Sequence, residues 1–199
     1  MSVAPDAPVT LGITGASGAP YGVRLLRALN ETGTPTRLIV SSYGIRLLAE
    51  EAGIEGLDAL REATGDWSRV ELYQSSDRGA TPASGSAPSR GMIVCPCSMG
   101  TLASIAAGAS RSLIERAADV TLKERRPLIL VPRETPLSLI HLENMTRLTR
   151  AGATILPASP GFYHRPESVG DLIDFVVTRI LDHIGVHLPG PRWKSGESG

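Results

Sequence analysis

The sequence has little cysteine and little histidine. Its two cysteines, Cys95 and Cys97, are separated by one residue within an apolar run. A disulfide between residues so close would be strained, so we predict two reduced thiols and, from them, a cytoplasmic protein. Two cysteines and four scattered histidines match no zinc-binding spacing. His183 and His187 are four residues apart, but Gly185 interrupts that segment, so we expect no metal site.

The chain also has no excess of either charge and few aromatic residues. Lys+Arg and Asp+Glu both number 20, so the formal net charge is zero and no electrostatic footprint for nucleic acid or an anionic membrane is expected. Aromatic residues make up 4% of the chain, which leaves few rings for stacking bases. The N-terminal segment lacks a basic region followed by a long apolar run, and no stretch is long enough to span a membrane. We therefore expect neither a signal peptide nor a membrane span.

The apolar residues that are present indicate one α/β domain. The chain has 199 residues and is 42% hydrophobic, so we predict a single domain at 1–188 and a flexible C-terminal tail at 189–199. Strand-like runs alternate with helix-like runs, which predicts a Rossmann-like or flavodoxin-like three-layer fold with a central parallel sheet. The predicted strands are residues 9–14, 37–40, 69–73, 91–96, 128–132 and 153–157. The predicted helices are residues 21–32, 43–52 with a possible extension over 55–63, 101–108, 113–123, 139–151 and 168–184.

A glycine-rich segment, Gly-Ile-Thr-Gly-Ala-Ser-Gly from Gly12 to Gly18, follows the first predicted strand. Its backbone N–H groups and the dipole of the helix that it opens favour a phosphate, and Ser17 adds a hydroxyl donor. The spacing differs from the dinucleotide-binding fingerprint, and Ser41 and Ser42 end the second strand where that fingerprint expects an acid. A tight glycine turn without a ligand remains the alternative interpretation.

A second polar segment, Cys-Pro-Cys-Ser-Met-Gly-Thr from Cys95 to Thr101, follows the middle strand. Ser98, Thr101 and the N–H groups between them are suited to an anion cradle at a helix start, although either side chain can simply cap the helix. Cys97 is a possible nucleophile, but no partner histidine is apparent. A buried structural thiol is the favoured interpretation.

Cationic residues stand beside a carboxylate in the second half of the chain. Arg133 and Glu134 follow an apolar run, where ligands of open α/β sheets bind, so one can clamp an anion while the other moves a proton. Arg116 and Lys123 are seven residues apart and share a helical face, from which they can project toward one anion. The alternative is a solvated basic end of a helix.

Tyr163 lies in the turn-rich segment Pro-Gly-Phe-Tyr-His-Arg-Pro after the last predicted strand, and Arg179 lies on the next helix. A phenol and a guanidinium together suit a phosphate clamp. Taken alone, Arg179 is better interpreted as a surface residue.

These segments, in this order, resemble the UbiX-like flavin prenyltransferases from residue 12 to about residue 188. The resemblance implies transfer of a dimethylallyl group from dimethylallyl monophosphate to N5 and C6 of reduced FMN, and a prenylated FMN product for UbiD-like decarboxylases. It implies a homo-oligomer, expected to be a dodecamer built from trimers. The FMN contacts that it implies are Gly15, Ala16, Ser17, Ser41, Ser98, Met99, Gly100, Thr101 and Arg133. Tyr163, Arg179 and Lys123 would hold the donor, and Glu134, Lys123, Arg116 and Ser17 would be catalytic.

The sequence has no Asp-rich motif of the kind that holds magnesium in many prenyl transferases, so cationic side chains would stabilise the leaving phosphate without metal. Arg78 stands near a position where some relatives have an aromatic residue, which leaves monophosphate and diphosphate donors both open. The main competing interpretation is a related FMN-dependent decarboxylase of cysteine peptides or phosphopantothenoylcysteine. That class is expected to have an early catalytic histidine, whereas the first histidine here is His141. A non-catalytic flavin carrier and an α/β domain that binds another nucleotide also stay open.

Overall fold

A computed structural model describes residues 6–189, in which six parallel strands form one sheet in the order β3-β2-β1-β4-β5-β6. The predicted tail at 189–199 lies outside the described residues, except for its first residue. The strands are β1 (Val9–Ile13), β2 (Thr36–Val40), β3 (Val70–Gln74), β4 (Gly91–Cys97), β5 (Leu128–Pro132) and β6 (Thr154–Ile155). The helices are α1 (Ala19–Glu31), α2 (Ser42–Ala52), α3 (Gly56–Thr64), α4 (Met99–Ala106), α5 (Leu113–Lys123), α6 (Leu139–Arg150) and α7 (Val169–Ile184).

The central strands are buried on both faces, as their continuous apolar runs predict. Every residue of β1, β2, β4 and β5 is buried. One apolar cluster packs α1 and α7 against the sheet through residues such as Leu25 and Ile180, and a second packs α4 and α5 through residues such as Leu102 and Ile114. The predicted three-layer α/β fold is therefore confirmed.

Element boundaries differ from the prediction where the chain turns. Residues 55–63 do not extend α2, because Gly53 ends that helix in the left-handed conformation at φ 66°. Helix α4 begins two residues earlier than predicted because Ser98 caps it. Strand β6 is only two residues long. The boundary of α4 matters for function because it brings Ser98 to the very end of β4.

The loop at 77–90 is held against the sheet by two arginines. Arg126 donates a hydrogen bond to the Gly85 carbonyl oxygen at 2.7 Å, and Arg37 donates one to the Pro88 carbonyl oxygen at 2.9 Å. A short 3-10 turn at Thr81–Ala83 interrupts the loop, and its Pro82 is buried. This part of the loop is therefore packed, and the loop returns the chain from the carboxyl edge of the sheet to the amino edge.

No helix among residues 6–189 combines the length and the apolar character needed to cross a membrane.

The order of the strands fixes where a ligand is expected. The chain moves outward from β1 through β2 to β3, and then crosses back to β4 on the other side of β1. In open α/β sheets the crevice outside the carboxyl ends of the strands at such a reversal is the usual binding site. The segments after β1 and β4, both singled out from the sequence, meet at this point.

Candidate active site

A cavity of about 850 Å³ opens at the carboxyl edge of the sheet, beside the reversal of strand order. It is bounded by the ends of β1, β2, β3 and β4 and by the start of α5. Four of the residues predicted to contact FMN line it, namely Gly15, Ser41, Ser98 and Thr101. The structure therefore brings three separate predicted segments, about 30 to 60 residues apart along the chain, to one cavity.

Three helices begin at this cavity. Ser41, Ser98 and Ser112 cap α2, α4 and α5, and each hydroxyl accepts a hydrogen bond from a backbone N–H of the first turn, at 3.0, 3.2 and 3.2 Å respectively. The capping interpretation of Ser98 is thus confirmed. A cap occupies only part of the unpaired N–H groups at a helix start, and the positive ends of three helix dipoles remain close to the cavity. The cavity is therefore suited to an anionic group.

The Thr14 hydroxyl joins the first and middle strands beneath the cavity. It donates a hydrogen bond to the Pro96 carbonyl oxygen at 2.8 Å and accepts one from the Ser98 N–H at 2.8 Å. The Ser98 hydroxyl in turn lies 3.0 Å from that of Thr101. This chain of hydrogen bonds fixes the two polar segments relative to each other.

The start of α1 holds a carboxylate where the sequence predicts a phosphate. The Gly18 and Ala19 N–H groups donate hydrogen bonds to the Glu51 carboxylate at 2.7 and 2.9 Å. Partial burial alone would raise the pKa of Glu51, but hydrogen bonds from Gly18, Ser17 and Ala19 and the charge of Arg133 lower that pKa below its ordinary value. The expectation that these amides are free for a phosphate is wrong, because Glu51 of α2 already occupies them.

Arg133 contacts the glycine-rich segment on the side opposite Glu51. It follows β5, and its Nε donates a hydrogen bond to the Ser17 carbonyl oxygen at 3.0 Å. Arg133 and Glu51 therefore hold Ser17 between opposite charges at the edge of the cavity, without lining it themselves. This places Ser17 in a defined position next to the predicted flavin contacts.

Glu51→Gln should reduce stability in a pH-dependent way. At neutral pH we expect the free energy of unfolding to fall by roughly 0.3–1 kcal/mol, because the variant lacks a charge at a helix start. Since the folded-state pKa lies below the ordinary value of 4.5, the contribution of Glu51 is fully present above that value and is lost as the pH falls through the folded pKa. Urea unfolding of both proteins at neutral pH and well below pH 4.5 measures this. A difference that persists unchanged in acid would contradict the account.

The remaining predicted flavin contacts adjoin the cavity in different ways. Ala16 and Met99 are buried, and Met99 packs into the second apolar cluster, so only their backbones are available to a ligand. Gly100 is exposed, and a Cβ placed on it would meet open space. Glu134 is exposed beyond the end of β5, where its carboxylate accepts a hydrogen bond from the Thr135 N–H at 3.0 Å.

The predicted donor-binding residues do not meet at this cavity within one chain. Lys123 ends α5 at the opposite, amino edge of the sheet, where it is exposed and paired with Glu124. Arg179 lies on α7 five residues before Ile184, and Ile184 packs close to Gly91, the first residue of β4. Arg179 forms an ion pair with Asp182 at 3.0 Å. Both cations therefore lie away from the carboxyl edge.

Arg116 and Tyr163 are also outside the cavity lining. Arg116 and Lys123 share the solvent-facing side of α5, as their spacing predicts, and stand about 10 Å apart along its axis. Arg116 pairs with Asp119 at 2.8 Å. Tyr163 is 45% exposed after β6, and its ring lies edge-on to Phe175 with centroids 5.5 Å apart. A single subunit thus presents these side chains outward.

Both cysteines are inert parts of the core. Cys95 and Cys97 have no exposed surface, and burial raises the pKa of both thiols, to about 12 for Cys97. Burial and the raised pKa disfavour a thiolate nucleophile at Cys97 and agree with the structural interpretation. We expect no reaction of the folded protein with Ellman's reagent and reaction of both thiols after unfolding. Rapid labelling under native conditions would contradict this burial.

Sequence reasoning missed three residues of the site. Glu51 carries no local signal, because it reaches the glycine-rich segment from 33 residues away. Tyr43 lines the cavity and is 69% exposed. Arg111 lines it beside Ser112, and here a signal existed, because Ser112 and Glu115 have the spacing of a capping box and mark a helix start.

Comparisons with known proteins place this geometry in a family. The family model described as Flavoprotein matches residues 3–181. A protein of Pseudomonas aeruginosa named flavin prenyltransferase UbiX is 49% identical over 194 residues, which cover 93% of each chain. The chain belongs to the UbiX-like flavin prenyltransferases, within the Flavoprotein family.

Solved structures of this family agree with the fold. The AnUbiX protein, in a complex with FMN and dimethylallyl pyrophosphate, superposes with a TM-score of 0.89 at 41% identity, covering 96% of this chain and 99% of its own. A dodecameric protein of Escherichia coli O157:H7 gives a TM-score of 0.87 at 44% identity, covering 94% of this chain and 100% of its own. That protein is described as an FMN-dependent UbiX-like decarboxylase.

Proposed function

We propose that this protein is a flavin prenyltransferase, which joins the dimethylallyl group of dimethylallyl monophosphate to N5 and C6 of reduced FMN. The observation that carries the proposal is the convergence of the predicted FMN segments on one cavity at the reversal of strand order, in a chain of this family. The complex of AnUbiX with FMN and a dimethylallyl compound supports it.

The cavity fits FMN. Its volume of about 850 Å³ is within the range of pockets that bury a molecule of this size. Hydroxyl groups and three helix starts suit the ribityl and phosphate groups, and the exposed ring of Tyr43 offers an aromatic surface for the flavin rings. When bound, reduced FMN supplies the nucleophilic N5 and C6 atoms. The protein supplies position, charge and protons.

Cationic side chains are proposed to stabilise the leaving phosphate without metal. Lys123, Arg179 and Tyr163 together provide two positive charges and a hydroxyl donor. Such groups act where negative charge develops as the allylic C–O bond breaks, and the site must exclude water from the allylic cation. Arg116 is proposed to add a further positive charge at the same place.

A homo-oligomer is needed to complete this arrangement. Lys123 and Arg179 lie away from the carboxyl edge that carries the cavity, so we propose that neighbouring subunits supply them. Helix α6 supports assembly, because Leu148 is its only buried residue, whereas Leu139 and Ile140 are 70% and 67% exposed. An exposed apolar face of this kind marks an interaction surface. By similarity to the relative from E. coli O157:H7, we propose a dodecamer.

Proton transfer is assigned to the carboxyl edge. Glu134 is proposed to relay the N5 proton. Its side chain is exposed, and the adjacent Arg133 donates a hydrogen bond to the glycine-rich segment, which places Glu134 near the predicted flavin contacts. The Ser17 hydroxyl, held by Glu51, is proposed to assist at the flavin. The prenylated FMN product would then serve a UbiD-like decarboxylase in the cytoplasm.

A multiple-turnover assay tests the proposal against the carrier and decarboxylase interpretations. Protein is incubated anaerobically with excess reduced FMN and either dimethylallyl monophosphate or the diphosphate, and the released flavin is quantified. More than one prenylated flavin per subunit indicates an enzyme, and bound flavin that stays unmodified indicates a carrier. Carbon dioxide release from phosphopantothenoylcysteine, with no change in the flavin, would instead support a decarboxylase.

A further inference from the structure

Arg111 gives the flavin cavity a cationic side chain that no predicted contact accounts for. Among the described residues that line the cavity, Arg111 and Glu115 are the charged ones, and the rest are apolar, hydroxyl-bearing or, at Gln74, an amide. Arg111 immediately precedes Ser112, the cap of α5, so its guanidinium and the positive end of the α5 dipole lie on the same side of the cavity. An anion there would meet both.

Glu115 forms an ion pair with the Nε of Arg111 and, among the described residues, no carboxylate pairs with its two terminal nitrogens. Glu115 is 9% exposed, and its Oε2 accepts a hydrogen bond from the Arg111 backbone N–H at 2.7 Å. The same oxygen lies 3.7 Å from the Arg111 Nε, which is longer than a hydrogen bond. Glu115 therefore tethers the base of the residue and leaves the guanidinium able to bind a second anion.

The guanidinium also keeps most of its donors. It has five N–H groups, and within the described part of the chain only one of them makes a hydrogen bond, to the Ser104 hydroxyl. The side chain is 73% exposed. A planar guanidinium with two adjacent donors available binds a phosphate in bidentate fashion.

We propose that Arg111 binds the phosphate group of FMN and thereby makes the cavity selective for FMN over unphosphorylated riboflavin. This inference rests on the proposed assignment of the cavity to a flavin. The allylic donor also carries a phosphate, but Lys123, Arg179 and Tyr163 are already proposed to bind that group, whereas none of them lines the cavity of its own chain. Arg111 is therefore assigned to the flavin phosphate.

The test compares two ligands on four proteins. Dissociation constants for FMN and riboflavin are measured by flavin fluorescence on the wild type and on Arg111→Gln, with Arg61→Gln, an exposed residue of α3, as the control. We expect Arg111→Gln to weaken FMN binding by about 10- to 100-fold, because a charge-assisted hydrogen bond is lost. Riboflavin binding should change less than about twofold, and Arg61→Gln should change neither. Arg111→Lys should fall between the wild type and Arg111→Gln because it keeps the charge but loses the planar fork.

Three results would overturn the assignment. Equal weakening of FMN and riboflavin would show that Arg111 only shapes the cavity, and unchanged binding of both would show that it does not contact the ligand. A raised KM for the dimethylallyl donor with unchanged FMN affinity would move Arg111 to the donor phosphate. Because flavin binding is measured without prenyl transfer, failure of the proposed reaction would leave the FMN-to-riboflavin comparison fully interpretable.

Discussion

We expect Lys123→Ala to lower kcat/KM for the dimethylallyl donor by about 10²-fold or more, since one cation that stabilises the leaving phosphate is removed. FMN affinity should stay unchanged, because Lys123 is proposed to bind the phosphate of the donor and not the flavin. Lys123→Arg keeps the charge and should retain more activity than the alanine variant. Initial rates over a range of donor concentrations, together with FMN titrations, measure both effects.

The same residue allows a test of whether neighbouring subunits share a site. Gly15→Ala should abolish flavin binding, because a Cβ on Gly15 would collide with Tyr43. A Gly15→Ala subunit still carries an intact Lys123, and a Lys123→Ala subunit still carries an intact cavity. Co-expression of the two inactive variants in equal amounts should therefore restore about a quarter of the wild-type activity, the share of sites in which random mixing joins two intact halves. No recovery in mixed oligomers would place Lys123 and the cavity of one chain in the same site.

Glu134→Gln should lower kcat by about 10²- to 10⁴-fold, the usual contribution of a positioned proton-transfer group. The glutamine retains the size and the hydrogen-bonding oxygen of the side chain, so the contact with the Thr135 N–H can persist. Binding of FMN and of the donor should therefore change little. Glu62→Gln, an exposed substitution on α3, is the matched control. Single-turnover rates and separate binding titrations distinguish a chemical defect from a binding defect, and an unchanged kcat would remove Glu134 from the mechanism.

The sequence predicted the parts of the site that depend on local pattern. Apolar runs followed by glycine or serine marked the ends of β1, β2 and β4, and parallel strands bring such ends to one edge. The family resemblance assigned Gly15, Ser41, Ser98 and Thr101 to one FMN site, and all four line the cavity at that edge.

Reasoning from local sequence pattern predicted neither the long-range contacts of the site nor the direction in which α5 runs. Glu51 reaches the start of α1 only because α2 packs beside it, and no local spacing reports that contact. The spacing of Arg116 and Lys123 correctly indicated one face of α5. It did not indicate that the helix runs from the carboxyl edge to the amino edge, carrying Lys123 away from the cavity. The roles of Tyr163 and Arg179 stay predictions for the same reason, since subunit contacts decide them.

The central claim is that this chain forms carbon–nitrogen and carbon–carbon bonds between a dimethylallyl group and reduced FMN. The most direct measurement is the mass of the flavin after anaerobic incubation of the protein with reduced FMN and dimethylallyl monophosphate. A flavin heavier by one C5H8 unit, formed only when protein and donor are both present, is the predicted result. Flavin of unchanged mass with both the monophosphate and the diphosphate donor, from protein shown to bind FMN, would contradict the account.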